Sequence, residues 1–415
     1  MTKTLEKDSS YLIDNTLIDP LMDENHEFLQ DPYPLFEKYR AIGPIAWSSR
    51  GNQWLVTGLE EANQIVRDNR FGKNMSLWKN PNLMTRLLFK FLRARSAGNL
   101  LFQDPPEHTR LRGLMQTAFL PGTIHAMQTH IQEITDQLLA EIKPGDQGDL
   151  LAQLAFPLPV TVIAELLGIP AADRDQFKHW SKLVTGSLQG KVCPFQALKS
   201  FRASRELRAY LHKVIKNKQK EPGHDLLTTL SQIQTKEDGR LSEKELLANS
   251  MLVLIAGHET TVNLISNGVY HLLQNKEQHE LLKQNPQLLE AAVEEFLRLD
   301  PPVQIVRRIA YSDIEVGGIK IKSGQAVTML IGACNRDPRV FAHPEKMDIQ
   351  REKFKHFSFG AGIHFCLGSE LARNEARIAI ATLLSKYPDM RLQEGQLSYR
   401  SPFALRGLEH LPVVY

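Results

Sequence analysis

The chain has 415 residues, of which 42% are hydrophobic and 23% charged, and its formal net charge is +3. That is the composition of an ordinary globular protein able to bury a large core, and its low charge does not point to nucleic acid as a partner. Its cysteines, Cys193, Cys334 and Cys366, are odd in number and far apart, and no CxxC or HxxxH spacing occurs, which argues against a disulfide framework and a structural zinc site.

The first 25 residues read as a polar tail without the basic-then-apolar order of a secretory signal. No apolar run approaches the roughly 20 residues of a membrane span; the longest, Met251–Gly257, is broken by His258 and Glu259. A cytoplasmic protein without a membrane anchor is expected, with one main domain over 26–415.

Along that domain, "IAWSSRGNQWLVTG" (45–58) alternates about a Gly-Asn turn and predicts a β-hairpin. Residues 70–103 carry no sustained period and read as a cover over a site. "DPPEHTRLR" puts His108 and Arg112 four apart on one helical face. "TIHAMQTHIQEITDQLLAEI", "VTVIAELLG" and "RASRELRAYLHKVIKNKQ" have helical period. Ser242 and Glu245 form a capping box that opens a helix running to about Gln274, roughly 48 Å at 1.5 Å per residue. "EEFLRL" sets Glu295 and Arg298 three apart, and 312–333 reads as a strand group with Gly-Gly and Ser-Gly turns. The fold class is mainly α with small β-sheets.

Two stretches break the local rules. "AGHETT" (256–261) puts a glycine, two threonines and a carboxylate inside the long helix. A mid-helix glycine costs up to about 1 kcal/mol, and a charge in an apolar span is expensive unless used. The hydroxyl of Thr260 can bond back to the carbonyl of Ala256. "FSFGAGIHFCLGSE" (357–370) surrounds Cys366 with Gly360, Gly362 and Gly368 just before a helix-like run. A lone cysteine is most often a small buried hydrophobe, and Cys193 and Cys334 keep that reading. A thiolate near a helix start is instead favoured electrostatically and suits an axial iron ligand.

The run Phe359–Gly368 resembles the haem-binding signature F-x-x-G-x-x-x-C-x-G of the cytochrome P450 family, with Phe359, Gly362, Cys366 and Gly368 on its fixed positions. "AGHETT", E-x-x-R and "HPEKMDIQR" follow the family's order, so the likeness covers roughly Asp31 to the C-terminus. The resemblance implies a soluble bacterial-type P450 fold, with haem b (iron protoporphyrin IX) between the long helix and the cysteine loop and Cys366 as the metal ligand. It implies that Ala256 and Gly257 leave room for oxygen, that Thr260 supplies a hydroxyl above the iron, and that Glu259 feeds protons through water. Glu295, Arg298 and Arg351 form the implied structural triad, with Met347 where an aromatic is usual. His108, Arg112, Arg308 and His364 are the implied propionate binders.

The implied activity is hydroxylation or epoxidation of an apolar small molecule such as a polyketide, terpenoid, steroid or fatty acid, using O2. Electrons would come from NAD(P)H through a reductase and a ferredoxin or flavodoxin. A docking patch is expected at Arg110, Lys353, Lys355, Arg373 and Arg377, and a monomer is expected. Leu252, Ala256, Val303 and Phe403 are the expected pocket lining, with the segments 70–103 and 177–201 as covers; Arg93, Arg95 and Lys182 are the cations there that could meet an acidic group. A peroxide-driven peroxygenase is an alternative that Glu259 and Thr260 argue against. A non-catalytic partner-recruiting module and a haem sensor are the others.

Overall fold

The computed structural model describes residues 11–13, 25–81, 98–186, 194–223, 225–233, 241–352 and 354–415. Much of the 70–103 cover, part of the 177–201 cover, Arg93, Arg95, Cys193 and Lys353 lie outside these residues. The chain divides into two compact units: Met1–Arg95 with Val303–Lys346 and Lys355–Cys366, and Ser96–Pro302 with Met347–Phe354 and Leu367–Tyr415.

The first unit opens with α1 (His26–Gln30) and α2 (Tyr33–Ile42). The expected hairpin follows as β1 (Ile45–Ser48) and β2 (Gln53–Val56), with Trp47 opposite Trp54 and Asn52 in the left-handed region at φ 49°. After α3 (Leu59–Arg67) come β3 (Phe71–Gly72), β4 (Ile305–Ala310), β5 (Ile314–Val316), β6 (Ile319–Ile321) and β7 (Ala326–Leu330). The sheet order is β1-β2-β7-β4-β3, and β5–β6 form a separate hairpin through Gly317–Gly318. The strand group 312–333 is thus present. The pairing of β2 with β7 is parallel and joins strands far apart in sequence, which alternation alone does not reveal.

The second unit is helical: α4 (Glu107–Gln116), α5 (Pro121–Ala126), α6 (Gln128–Leu138), α7 (Pro157–Leu166), α8 (Arg174–Gly186), α9 (Pro194–Lys220), α10 (Leu226–Ile233), α11 (Glu243–Gln274), α12 (Lys276–Gln284), α13 (Leu289–Leu299) and α14 (Ser369–Lys386). The capping box is made as expected: the Glu245 amide donates to Ser242 Oγ at 3.2 Å and the Ser242 amide to Glu245 Oε2 at 2.8 Å. α11 runs for 32 residues and is buried around much of its circumference, packing on α7, α9, α13 and α14. Strands Gln147–Asp149, Arg391–Leu392 and Pro412–Val414 form a small sheet, with the C-terminal strand in its middle. No helix among the described residues is long and apolar enough to cross a membrane.

Candidate active site

Residues 357–366 of the first unit form a loop closed on itself. The Cys366 amide donates to the Phe359 carbonyl at 2.9 Å, the Gly360 amide to Phe357 at 2.9 Å and the Phe365 amide to Gly362 at 3.1 Å. Asn335 anchors its start, accepting from the Phe357 amide at 2.6 Å and donating to Ser358 Oγ at 2.8 Å. Phe359 packs edge-on against Phe365. Gly362 has φ 67°, and a Cβ there would sit 2.6 Å from the Val66 carbonyl oxygen of α3; only glycine satisfies both the turn and the close approach. Cys366 is half-buried in this loop, just upstream of α14. Cys334 is the contrast: it is fully buried against the Val56 and Gly58 carbonyls, and burial pushes its thiol up. That matches its reading as a core residue.

In the second unit, residues 256–261 keep α11 continuous. The Thr260 hydroxyl donates to the Ala256 carbonyl at 2.6 Å and Thr261 to Gly257 at 2.9 Å, so the threonines satisfy themselves within the helix. A Cβ on Gly257 would lie 2.7 Å from Ile163 Cδ1, which makes close packing on α7 one reason for glycine here. Leu252, Ala256 and Thr260 follow each other four apart on one face and stay partly or fully exposed, while Glu259 is buried. His258 is fully buried, with Nδ1 3.2 Å from Ser181 Oγ of α8 and its ring edge-on to Phe156. Burial, and then the Arg400 charge, lower it to about 3, so it is a neutral imidazole.

Sequence reading missed the partner of Glu259. Arg400 Nη1 donates to Glu259 Oε1 at 2.7 Å and Nη2 donates to Asn263 Oδ1 at 2.6 Å. The signal was available: Glu259, Asn263, Asn267 and His271 recur every fourth residue on a mostly apolar helix, which marks one polar face in need of partners.

The expected triad is brought together. Arg298 forks onto Glu295 with two bonds of 2.7 Å, and Arg351 Nε reaches Glu295 Oε2 at 3.3 Å. The Asp348 amide adds a bond to Glu295 at 3.0 Å, and Met347 is buried beside it in sequence. His108 is buried and Arg112 half-buried on α4, Arg308 is buried on β4, and His364 is half-buried in the cysteine loop. Of the expected pocket lining, Leu252 and Val303 are half-buried, Ala256 is exposed and Phe403 is buried. The expected docking patch is largely neutralised: Arg110 pairs with Glu107 and Glu245, Arg373 with Glu294, and Arg377 with Glu370 and Glu290. Lys355 is exposed.

The cytochrome P450 family model matches residues 79–397. The chain belongs to the cytochrome P450 family. The biotin biosynthesis cytochrome P450 of Bacillus subtilis is 38% identical over 401 residues, 94% of this chain and 97% of that one. The vitamin D(3) 25-hydroxylase of Pseudonocardia autotrophica is 38% identical, with 93% and 94% covered. The solved structure of P450BioI with hexadec-9Z-enoic acid ligated acyl carrier protein has a TM-score of 0.85, covering 94% of this chain and 100% of that one. The fold is therefore that of a P450, and the family's cofactor is haem.

The residues present fit that group. A half-buried thiol sits in a loop whose turn a Cβ would fill, and Leu252, Ala256 and Thr260 form a partly or fully exposed stripe on a helix that is buried around much of its circumference. The candidate anion partners are an arginine and histidine pair in each unit: His108 with Arg112, and Arg308 with His364. A thiol suits an iron ion, and each arginine–histidine pair suits a carboxylate.

Proposed function

We propose that this P450 is a haem-thiolate monooxygenase that hydroxylates or epoxidises an apolar small molecule, its catalytic domain spanning 26–415. The observation that carries the reading is the self-bonded glycine loop presenting Cys366. Bound haem supplies the chemistry that activates dioxygen and places one oxygen atom on the substrate. Cys366 gives the iron a thiolate, an electron-rich ligand suited to cleaving O–O. His108, Arg112, Arg308 and His364 hold the two propionates by charge-assisted hydrogen bonds. Glu259 takes protons from water and passes them on, and Thr260 offers a hydroxyl on the open stripe of α11.

Leu252, Ala256, Val303 and Phe403 contribute to an apolar pocket, by their place relative to the motifs. The relatives, which include a polyketide biosynthesis P450, a vitamin D(3) 25-hydroxylase and a P450 bound to a fatty-acyl carrier protein, support an apolar ligand class without choosing within it. Electrons come from NAD(P)H through separate proteins, a reductase and a ferredoxin or flavodoxin. The test is the absorption spectrum of reduced protein under carbon monoxide, for wild type and Cys366→Ala. A strongly red-shifted Soret band that requires Cys366 is expected. A band at the position of a histidine- or thiol-ligated haem, or no haem at all, overturns the assignment.

A further inference from the structure

Glu259 is 3% exposed, and a carboxylate taken that far from water needs a partner. It has a fixed one. Arg400 spans a full turn of α11, with one nitrogen on Glu259 and the other on Asn263. The arginine is itself tied down. Its amide donates to the Gly407 carbonyl at 2.9 Å. On either side of it, the Tyr399 hydroxyl donates to Asp300 at 3.1 Å and Arg406 Nε to the same carboxylate at 2.6 Å. Asn267 closes the strap by donating to the Arg406 carbonyl at 3.2 Å. The segment 399–407 is thus a brace along α11, and Arg400 is its contact with the acid.

We propose that Arg400 is a positioning residue for proton relay: it fixes the Glu259 carboxylate in one place and orientation while protons pass through it. This rests on the proposed proton role of Glu259. In each passage the carboxylate takes one proton from water and hands one on, so it is regenerated and the Arg400 pair is left as it was. A displacement of about 1 Å in a relay group can cost up to about a hundredfold in rate, so the brace has a kinetic effect as well as a structural one.

The test uses holoenzyme supplied with reduced ferredoxin, with no organic substrate needed, because reducing dioxygen to peroxide consumes two electrons and two protons from water. Dioxygen consumption and its solvent deuterium isotope effect are measured for wild type, E259Q, R400Q, R400K and the double E259Q/R400Q. A second readout is the infrared carboxylate band of Glu259 in the resting enzyme, isolated as the difference from E259Q. We expect R400Q to slow consumption about tenfold, raise the isotope effect and move the infrared band. R400K, which keeps the charge but cannot fork across the turn, should recover part of each and decides the matter if R400Q folds poorly. The double variant should be no slower than E259Q. Multiplying effects in the double, or wild-type rates and an unmoved band in R400Q and R400K beside a slow E259Q, overturn the positioning role. A wild-type E259Q instead removes the proton role of Glu259 and the inference with it.

Discussion

Glu295 and Arg298 are each 0% exposed, so replacing Glu295 with Ala strands a guanidinium away from water. The carboxylate collects two bonds from Arg298, one from Arg351 and one from the Asp348 amide. Removing one partner of a buried ion pair costs about 3–5 kcal/mol, against a total stability of about 5–15 kcal/mol. An unfolding entropy of about 2.1 cal/mol/K per residue over 415 residues turns that loss into a fall in Tm of about 3–6 °C. The assay is thermal and urea unfolding followed by circular dichroism, for Glu295→Ala, Arg298→Leu and the Glu295→Leu/Arg298→Leu pair. The pair should be more stable than Glu295→Ala, because the fully buried Arg298 charge is then removed together with its partner. A Tm within 1 °C of wild type for Glu295→Ala, or a double variant as damaged as the sum of the singles, refutes the reasoning.

Gly362→Ala combines a left-handed backbone with a Cβ against the Val66 carbonyl, and should abolish the Cys366-dependent red-shifted band while leaving helical content intact; an unchanged spectrum counts against the loop as the ligand frame. His258 has its folded-state value lowered from 6.5 to about 3, so its contribution is present above 6.5 and is lost as pH falls toward 3. Urea unfolding across pH should show wild type losing about 1.4 kcal/mol per pH unit in that window relative to His258→Gln, and parallel profiles contradict a buried neutral imidazole. Glu375 on α14 is fully buried, neither carboxyl oxygen has a hydrogen-bond partner among the described residues, and burial raises it well above 4.5. Its contribution is therefore present below 4.5 and lost as pH rises, so Glu375→Gln should gain on wild type toward neutral pH; a gain toward acid reverses the sign and refutes it.

The fold and the site were legible to different degrees, for physical reasons. The hairpin 45–58, the strand group 312–333 and α11 with its capping box are set by local period, turn chemistry and end signals, all of which lie within a few residues of one another. The parallel β2–β7 pair and the pairing of Gln147–Asp149 with Pro412–Val414 join segments hundreds of residues apart, and short strands with little alternation announce no partner. The same distinction holds at the site. The Cys366 loop and the Glu295–Arg298 pair are local motifs, whereas the Arg400 partner of Glu259 comes from a segment 141 positions away (400 less 259). The ion pairing of the expected docking patch shows the converse: sequence displays the cations of α4 and α14, while Glu290, Glu294 and Glu245 reach them only in the folded unit.

The register of α11 explains how one helix can carry an acid, an alcohol and a buried imidazole in succession. Neighbouring residues on an α-helix point about 100° apart, since 3.6 residues complete a turn. His258 turns toward α8 and Phe156, where burial keeps it a neutral imidazole. Glu259 turns toward the brace and continues a polar face through Asn263, Asn267 and His271, whose partners are Arg400, the Arg406 carbonyl and Asp300. Thr260 turns onto the stripe it shares with Ala256 and Leu252, which stays partly or fully exposed in the middle of the helix. The acid and the alcohol are thereby held at the border between a fixed polar face and an open one. Deleting a single residue before His258 would rotate all three by about 100°, placing the carboxylate where the imidazole is buried, so the order of these residues is as constrained as their chemistry.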